Sequence, residues 1–166
     1  MNQPQSFFLA DEAATLALGA AFASCMQPGL VIYLDGDLGA GKTTLVRGLL
    51  RALGDSGPVK SPTYTLVEIH VVSGLNLYHF DFYRFNQPEE YLDAGLDEYF
   101  TGDGVCLVEW PEHAEPYLPA ADLHIRLQVD GAGRTAHIEV GSEPGQRCLT
   151  NSALPAATSS ATLPPA

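Results

Sequence analysis

Residues Gly36-Asp37-Leu38-Gly39-Ala40-Gly41-Lys42-Thr43 fill the pattern G-x-x-x-x-G-K-[ST] in full, and no other feature restricts the fold of this chain as much. Such a loop needs a strand before it and a helix after it. Glycines let the backbone curl until its N–H groups converge on a phosphate, and the helix turns its positive end towards the same anion. Both flanks are present. Leu30-Val31-Ile32-Tyr33-Leu34 is an unbroken, β-rich apolar run, as expected of a strand buried on both faces. Leu45, Val46, Leu49, Leu50 and Leu53 form one apolar stripe of a helix over residues 41–53, and Gly54 is a fitting stop. In this setting Lys42 supplies a mobile cation for the β- and γ-phosphates, and Thr43 offers its hydroxyl to Mg²⁺.

The rest of the chain alternates in the same way up to residue 140. Residues 7–9 suit a short first strand, and Asp11 suits the N-cap of a helix over 11–26. Residues 64–72 and 75–82, parted by Ser73-Gly74, read as an antiparallel hairpin. Pro88-Glu89-Glu90 opens a short helix. Residues 105–108 form another fully apolar strand, and 123–129 with 134–140 flank Asp130-Gly131-Ala132-Gly133 as a closing hairpin. The expected architecture is an α/β, P-loop NTPase-like fold over residues 1–140. It has a central, mostly parallel sheet flanked by helices, the P-loop strand beside strand 105–108, and antiparallel hairpins at the margins. Of the 26 residues in 141–166, 18 are Gly, Pro, Ser, Thr or Ala, which predicts a disordered tail.

Composition narrows the partners. A length of 166 residues allows one domain with a real core. The net charge is −12, and Lys42 and Lys60 are the only lysines. A lone protein of this charge is repelled by nucleic acid, so any RNA in its pathway is held by a partner. The plainer reading of the charge is an acidic surface that keeps the protein soluble. Three widely spaced cysteines (Cys25, Cys106, Cys148) fit neither a disulfide framework nor a metal site and point to a reducing compartment. The first basic residue is Lys42, so there is no positive export segment, and no apolar run reaches membrane length; the expected location is cytoplasmic. The histidines show no ligand spacing, so no zinc is expected.

A P-loop enzyme needs a carboxylate at the end of a neighbouring strand. Val105-Cys106-Leu107-Val108 leads into Glu109, and Leu77-Tyr78-His79-Phe80 leads into Asp81. The first run is apolar throughout, whereas the other has the pattern of a half-exposed strand. Glu109 is therefore assigned to Mg²⁺, and Asp81 to a supporting role or to orienting the attacking water. Alternatively, Asp81 pairs with Arg84 or caps a turn. Ser61-Pro62-Thr63-Tyr64-Thr65 sits where nucleotide switches place a mobile loop, so Thr63 or Thr65 is a candidate γ-phosphate sensor. A rigid turn set by Pro62 explains the same residues. Trp110 reads as packing or as part of the site, and Arg47 and Arg51 as solvated surface or a small basic patch. No N-K-x-D tetrapeptide is present, which favours ATP over GTP.

Several of these segments together resemble one family. The loop with Thr44 is followed by Ser61-Pro62-Thr63-Tyr64-Thr65-Leu66-Val67-Glu68, then Tyr78-His79-Phe80-Asp81-Phe82-Tyr83-Arg84, Pro88-Glu89-Glu90 and Glu109-Trp110-Pro111-Glu112. The set is similar to the bacterial TsaE (YjeE) ATPases over about residues 6–140. The resemblance implies ATP and Mg²⁺ as ligands. It also implies TsaB and TsaD as partners, which place a threonylcarbamoyl group on the tRNA adenosine beside the anticodon. In that family TsaE does not perform the transfer; with the acidic charge and the absence of a long apolar run, tRNA is expected to be contacted only indirectly and no membrane is expected as a partner. By similarity Gly36, Asp37, Leu38, Gly39, Ala40, Gly41, Lys42, Thr43 and Thr44 bind the nucleotide, and Thr43 and Glu109 hold the metal. Lys42, Asp81 and Glu109 serve catalysis, while Asp11 and Arg134 lie near the nucleotide. Asp81 and Trp110 occupy motif positions tied to activity.

Two rivals use the same loop. A small-molecule or nucleotide kinase would need arginines gathered over the transferred phosphate, yet the arginines (Arg47, Arg51, Arg84, Arg126, Arg134, Arg147) are scattered. A nucleotide-dependent binding module would use ATP only to order an interface.

Overall fold

The structure is a computed structural model that describes residues 4–155. Seven strands form one sheet: β1 (Gln5–Leu9), β2 (Val31–Asp35), β3 (Val67–Val72), β4 (Leu75–Asp81), β5 (Val105–Glu109), β6 (Leu123–Asp130) and β7 (Gly133–Val140). Their spatial order is β1-β7-β6-β2-β5-β4-β3. The four central strands are parallel: β2 pairs with β5 and with β6, and β4 pairs with β5. Hairpins β3–β4 and β6–β7 close the margins, and β1 adds antiparallel to β7. The expected α/β architecture is observed, with the P-loop strand beside β5.

Helices α1 (Glu12–Ala21) and α2 (Lys42–Leu53) cover one face. Asp11 caps α1 as its sequence suggests, its Oδ1 accepting the Ala14 N–H at 2.9 Å. The helix ends earlier than residue 26, because Phe22 bonds back to Gly19 and Cys25 to Phe22, three residues away, which tightens the last turns. Leu45, Val46, Leu49 and Leu50 of α2 are each at most 2% exposed against β2, β5 and β6. Each contributes about 1.5–3 kcal/mol by leaving water. The opposite face carries a second core of Tyr33, Tyr78, Phe80, Phe82, Tyr91 and Val108. It is covered by the short α3 (Glu90–Asp93) and by 3₁₀ turns.

Three expectations are corrected. β4 is buried on both faces from Leu77 to Asp81 rather than half exposed: the aromatic cluster with Tyr91 and Phe100 covers Tyr78 and Phe80, while on the other face Leu77 joins the helix-side core, His79 bonds to Glu109 and Asp81 to Ser61 and Thr63. The tail is not disordered from residue 141: α4 (Glu143–Asn151) is helical, with Ser142 capping it and Cys148 and Leu149 in the core. Residues 156–166, the remainder of that expectation, lie outside the described residues. Finally, Cys25 and Cys148 form a disulfide, which fastens α4 to the 3₁₀ turn after α1. No helix among the described residues is long and apolar enough to cross a membrane.

Candidate functional site

The loop after β2 reverses through Gly36, Gly39 and Gly41, with φ of 151°, 80° and 106°. At Gly36 a Cβ would lie 2.7 Å from the Leu127 carbonyl oxygen, so only glycine fits between the loop and β6. Arg134 of β7 braces the loop from outside, donating to the carbonyls of Ala40 at 3.1 Å and Gly39 at 3.2 Å. Lys42, 5% exposed, donates from Nζ to the Gly36 carbonyl at 2.5 Å and stands 4.0 Å from the centre of the Trp110 ring. Burial lowers the pKa of this ammonium; the carboxylates of Glu109, Asp81, Glu112 and Asp35 oppose the shift. An arriving phosphate would favour the charged amine further.

Parallel pairing sets the acids in line. Asp81 and Glu109 are register partners at the ends of β4 and β5, and Leu34 of β2 pairs with Glu109. Each acid is 3% exposed. On this face Leu77, Val105 and Leu107 meet the helices, and the composition turns polar at His79, Asp81 and Glu109 as the strands reach the loop. Thr43 Oγ1 lies 3.4 Å from Glu109 Oε2, and His79 Nε2 lies 2.6 Å from the same oxygen. Asp81 Oδ1 accepts the Tyr83 N–H at 2.9 Å, while Oδ2 accepts Ser61 at 2.5 Å and Thr63 at 3.2 Å. Thr65 instead donates to Glu68 at 3.1 Å. Of the two threonines, Thr63 is the one at the acids. Arg84 does not pair with Asp81; it stacks on Tyr64 at 4.1 Å.

Three clefts meet at the loop. One of about 290 Å³ contains Lys42, Thr43, Ser61, Thr63, Asp81, Glu109 and Trp110. Another, of about 210 Å³, contains Asp11, Thr15, Thr44 and Arg134. The third, of about 520 Å³, runs past Asp35, Asp37, Trp110, Glu112 and Arg126. In it the Asp35 carboxyl sits below its usual range: burial alone would raise it, but the His124 imidazole and Arg126 outweigh that. Glu112 is pushed up by burial and by the Asp35 charge. Trp110, which joins the first and third clefts, holds φ at 58° although it is not glycine. Such strain costs about 1–3 kcal/mol and is typical of functional positions.

The family model described as "Threonylcarbamoyl adenosine biosynthesis protein TsaE" matches residues 9–136. This chain belongs to the TsaE family. The tRNA threonylcarbamoyladenosine biosynthesis protein TsaE of Haemophilus influenzae is 39% identical over 148 residues, covering 86% of this chain and 94% of that protein. The protein of the same name from Bacillus subtilis is 48% identical over 117 residues, covering 70% and 73%. The crystal structure of Bacillus subtilis YdiB superposes with a TM-score of 0.77 at 32% identity, covering 90% of this chain and 94% of that one.

In this TsaE chain the assigned residues fall into separate groups. Lys42, Thr43, Asp81 and Glu109 share one cleft, Asp11, Thr44 and Arg134 share the next, and Asp37 lines the third. Leu38 is 64% exposed at the tip of the loop. Sequence reasoning passes over Ser61, His79 and Glu112. Ser61 and Glu112 lie inside the quoted motifs; His79 carries a usable signal as the polar residue two positions before Asp81 on the same face.

Proposed function

We propose that this protein is a Mg²⁺-dependent ATPase. It supports threonylcarbamoyl modification of the tRNA adenosine next to the anticodon by acting with TsaB and TsaD, rather than performing the transfer. The observation that carries the reading is the convergence of Lys42, Thr43, Asp81 and Glu109 on one cleft at the carboxyl ends of β2, β4 and β5. The donor set fits the metal, because a hydroxyl and carboxylates are the hard oxygen ligands Mg²⁺ takes. Thr43 and Glu109 would hold it, and the ion supplies positive charge to the phosphate oxygens when bound.

The chain's own groups do the rest. The glycine loop and the start of α2 offer backbone N–H groups to the phosphates. Lys42 moves its ammonium from the Gly36 carbonyl to them. Asp81, tied to Ser61 and Thr63, orients the attacking water and links the 61–65 loop to the γ-phosphate. The cleft of Asp11, Thr15 and Thr44 lies on the other side of the loop and suits the nucleoside end. A net charge of −12 leaves RNA contact to the partners. The kinase alternative needs arginines gathered over the phosphate, and the cleft of Lys42, Asp81 and Glu109 is lined by none among the described residues: Arg84 is stacked on Tyr64, Arg134 braces the loop, Arg47 serves Val59 and Glu12, and Arg126 lies in the cleft of Asp35.

Two substitutions test the assignment. Glu109→Gln should weaken the magnesium dependence of ATP binding, while Asp81→Asn should leave binding in place and slow turnover. The reversed pattern would refute it.

A further inference from the structure

His79 lies in the middle of a strand buried on both faces and is itself fully buried. A buried imidazole is tolerated only where a hydrogen bond replaces its water. The bond it makes is to Glu109, with Nε2 2.6 Å from Oε2, and Nδ1 has no hydrogen-bond partner among the described residues. An ionised carboxylate only accepts, so the ring donates to it from Nε2. His79 pairs in register with Leu107 while Asp81 pairs with Glu109, which makes His79 and Glu109 diagonal neighbours on one face of the sheet.

Glu109 Oε2 also receives the Thr43 hydroxyl at 3.4 Å, a longer contact. When Thr43 turns towards a cation, the imidazole is the side chain that stays bonded to Glu109. We propose that His79 is a positioning residue for the metal site: its Nε2–H fixes the rotation of the Glu109 carboxylate, so the acid meets Mg²⁺ already oriented. Without that bond the carboxylate rotates freely, and metal binding must order it. Partners of this kind are typically worth about 10–100-fold in metal affinity. The inference rests on the reading of Glu109 as the metal carboxylate.

The test is the gain in ATP affinity conferred by Mg²⁺, measured by calorimetry in excess Mg²⁺ and in EDTA. The proteins compared are the wild type, His79→Leu, His79→Gln and Glu109→Gln. His79→Leu is expected to lose about 10–100-fold of the magnesium gain and to keep its affinity in EDTA. His79→Gln, whose amide nitrogen reaches the Nε2 position, recovers most of the gain. A full gain in His79→Leu, or equal damage in His79→Gln, overturns the proposal. Glu109→Gln separates the two layers: if it keeps the wild-type gain, the metal reading of Glu109 fails; if it loses the gain while His79→Leu keeps it, only the role of His79 fails. Should His79→Leu lose affinity in EDTA as well, His79→Asn decides. Its shorter amide cannot reach Glu109, so loss of the gain supports the role and retention contradicts it.

Discussion

Gly48→Ala tests how closely the two main helices cross. A Cβ at Gly48 would lie 2.1 Å from the carbonyl oxygen of Leu16, and one at Gly19 would lie 2.0 Å from that of Leu45. Real Cβ contacts essentially never fall under 3.0 Å, and the opposing atoms are backbone, so α1 and α2 must part by about 1 Å. A gap of that size forfeits about a quarter to a half of the dispersion energy of the atoms lining it. Overpacking of this sort costs about 1–3 kcal/mol, and the better helix propensity of alanine returns at most about 1 kcal/mol. Because the opposing atoms are backbone and cannot rotate away, the cost lies at the upper end, and the net loss of about 2 kcal/mol lowers Tm by roughly 4–8 °C for a domain of this size. The effect should reach the nucleotide. α2 begins at the phosphate loop, and the Thr15 methyl of α1 lies 3.5 Å from where a Cβ on Gly41 would sit. Circular-dichroism melting and calorimetric ATP titration of Gly48→Ala and Gly19→Ala should therefore show lower Tm and weaker binding together. A rise in Tm at either position would mean that the crossing is looser than the structure has it.

Cys106 is buried and its thiol is pushed up to about 12 by that burial. With Cys25 and Cys148 joined, unreduced native protein should show no reactive thiol, unfolding should release one, and unfolding with reductant three; three without reductant would rule out the disulfide. Trp110 is the only tryptophan and its ring faces Lys42. Saturating Mg·ATP should accordingly change the intrinsic fluorescence, and an unchanged spectrum would place the phosphates elsewhere. Burial, aided by Arg126 and partly offset by Glu139, holds His137 below the usual histidine value of 6.5. The unfolded chain therefore binds this proton first, and stability should fall as the pH drops below 6.5 towards the folded value. His137→Gln should flatten that part of a Tm-against-pH curve; an unchanged slope would assign the effect to another group.

The phosphate loop and the sheet are legible in the sequence because each leaves a periodic trace. An unbroken apolar run marks β2 and β5, a stripe of leucines and valine marks α2, and glycines at fixed offsets mark the turn between them. β4 reads as half exposed for a physical reason: the groups that bury its polar face, Glu109 against His79 and Ser61 and Thr63 against Asp81, come from other segments and meet it only in the folded chain. α4 is hidden by a run of small residues, although Ser142 before Glu143 and Pro144 is a helix start of the usual chemistry. The Cys25–Cys148 pair spans 123 residues, and no local pattern records a contact between a turn and a distant helix. At the site, the acids at strand ends are legible from their position. The bond from His79 to Glu109 crosses strands diagonally, and it emerges only once the β4–β5 register is known.

ATP hydrolysis by the purified protein, alone and with TsaB and TsaD from the same source, tests the proposed activity most directly, with Lys42→Ala as control. The predicted result is that the pair raises the rate and that Lys42→Ala abolishes the stimulated reaction. No stimulation by partners shown to be active on tRNA would contradict the proposal.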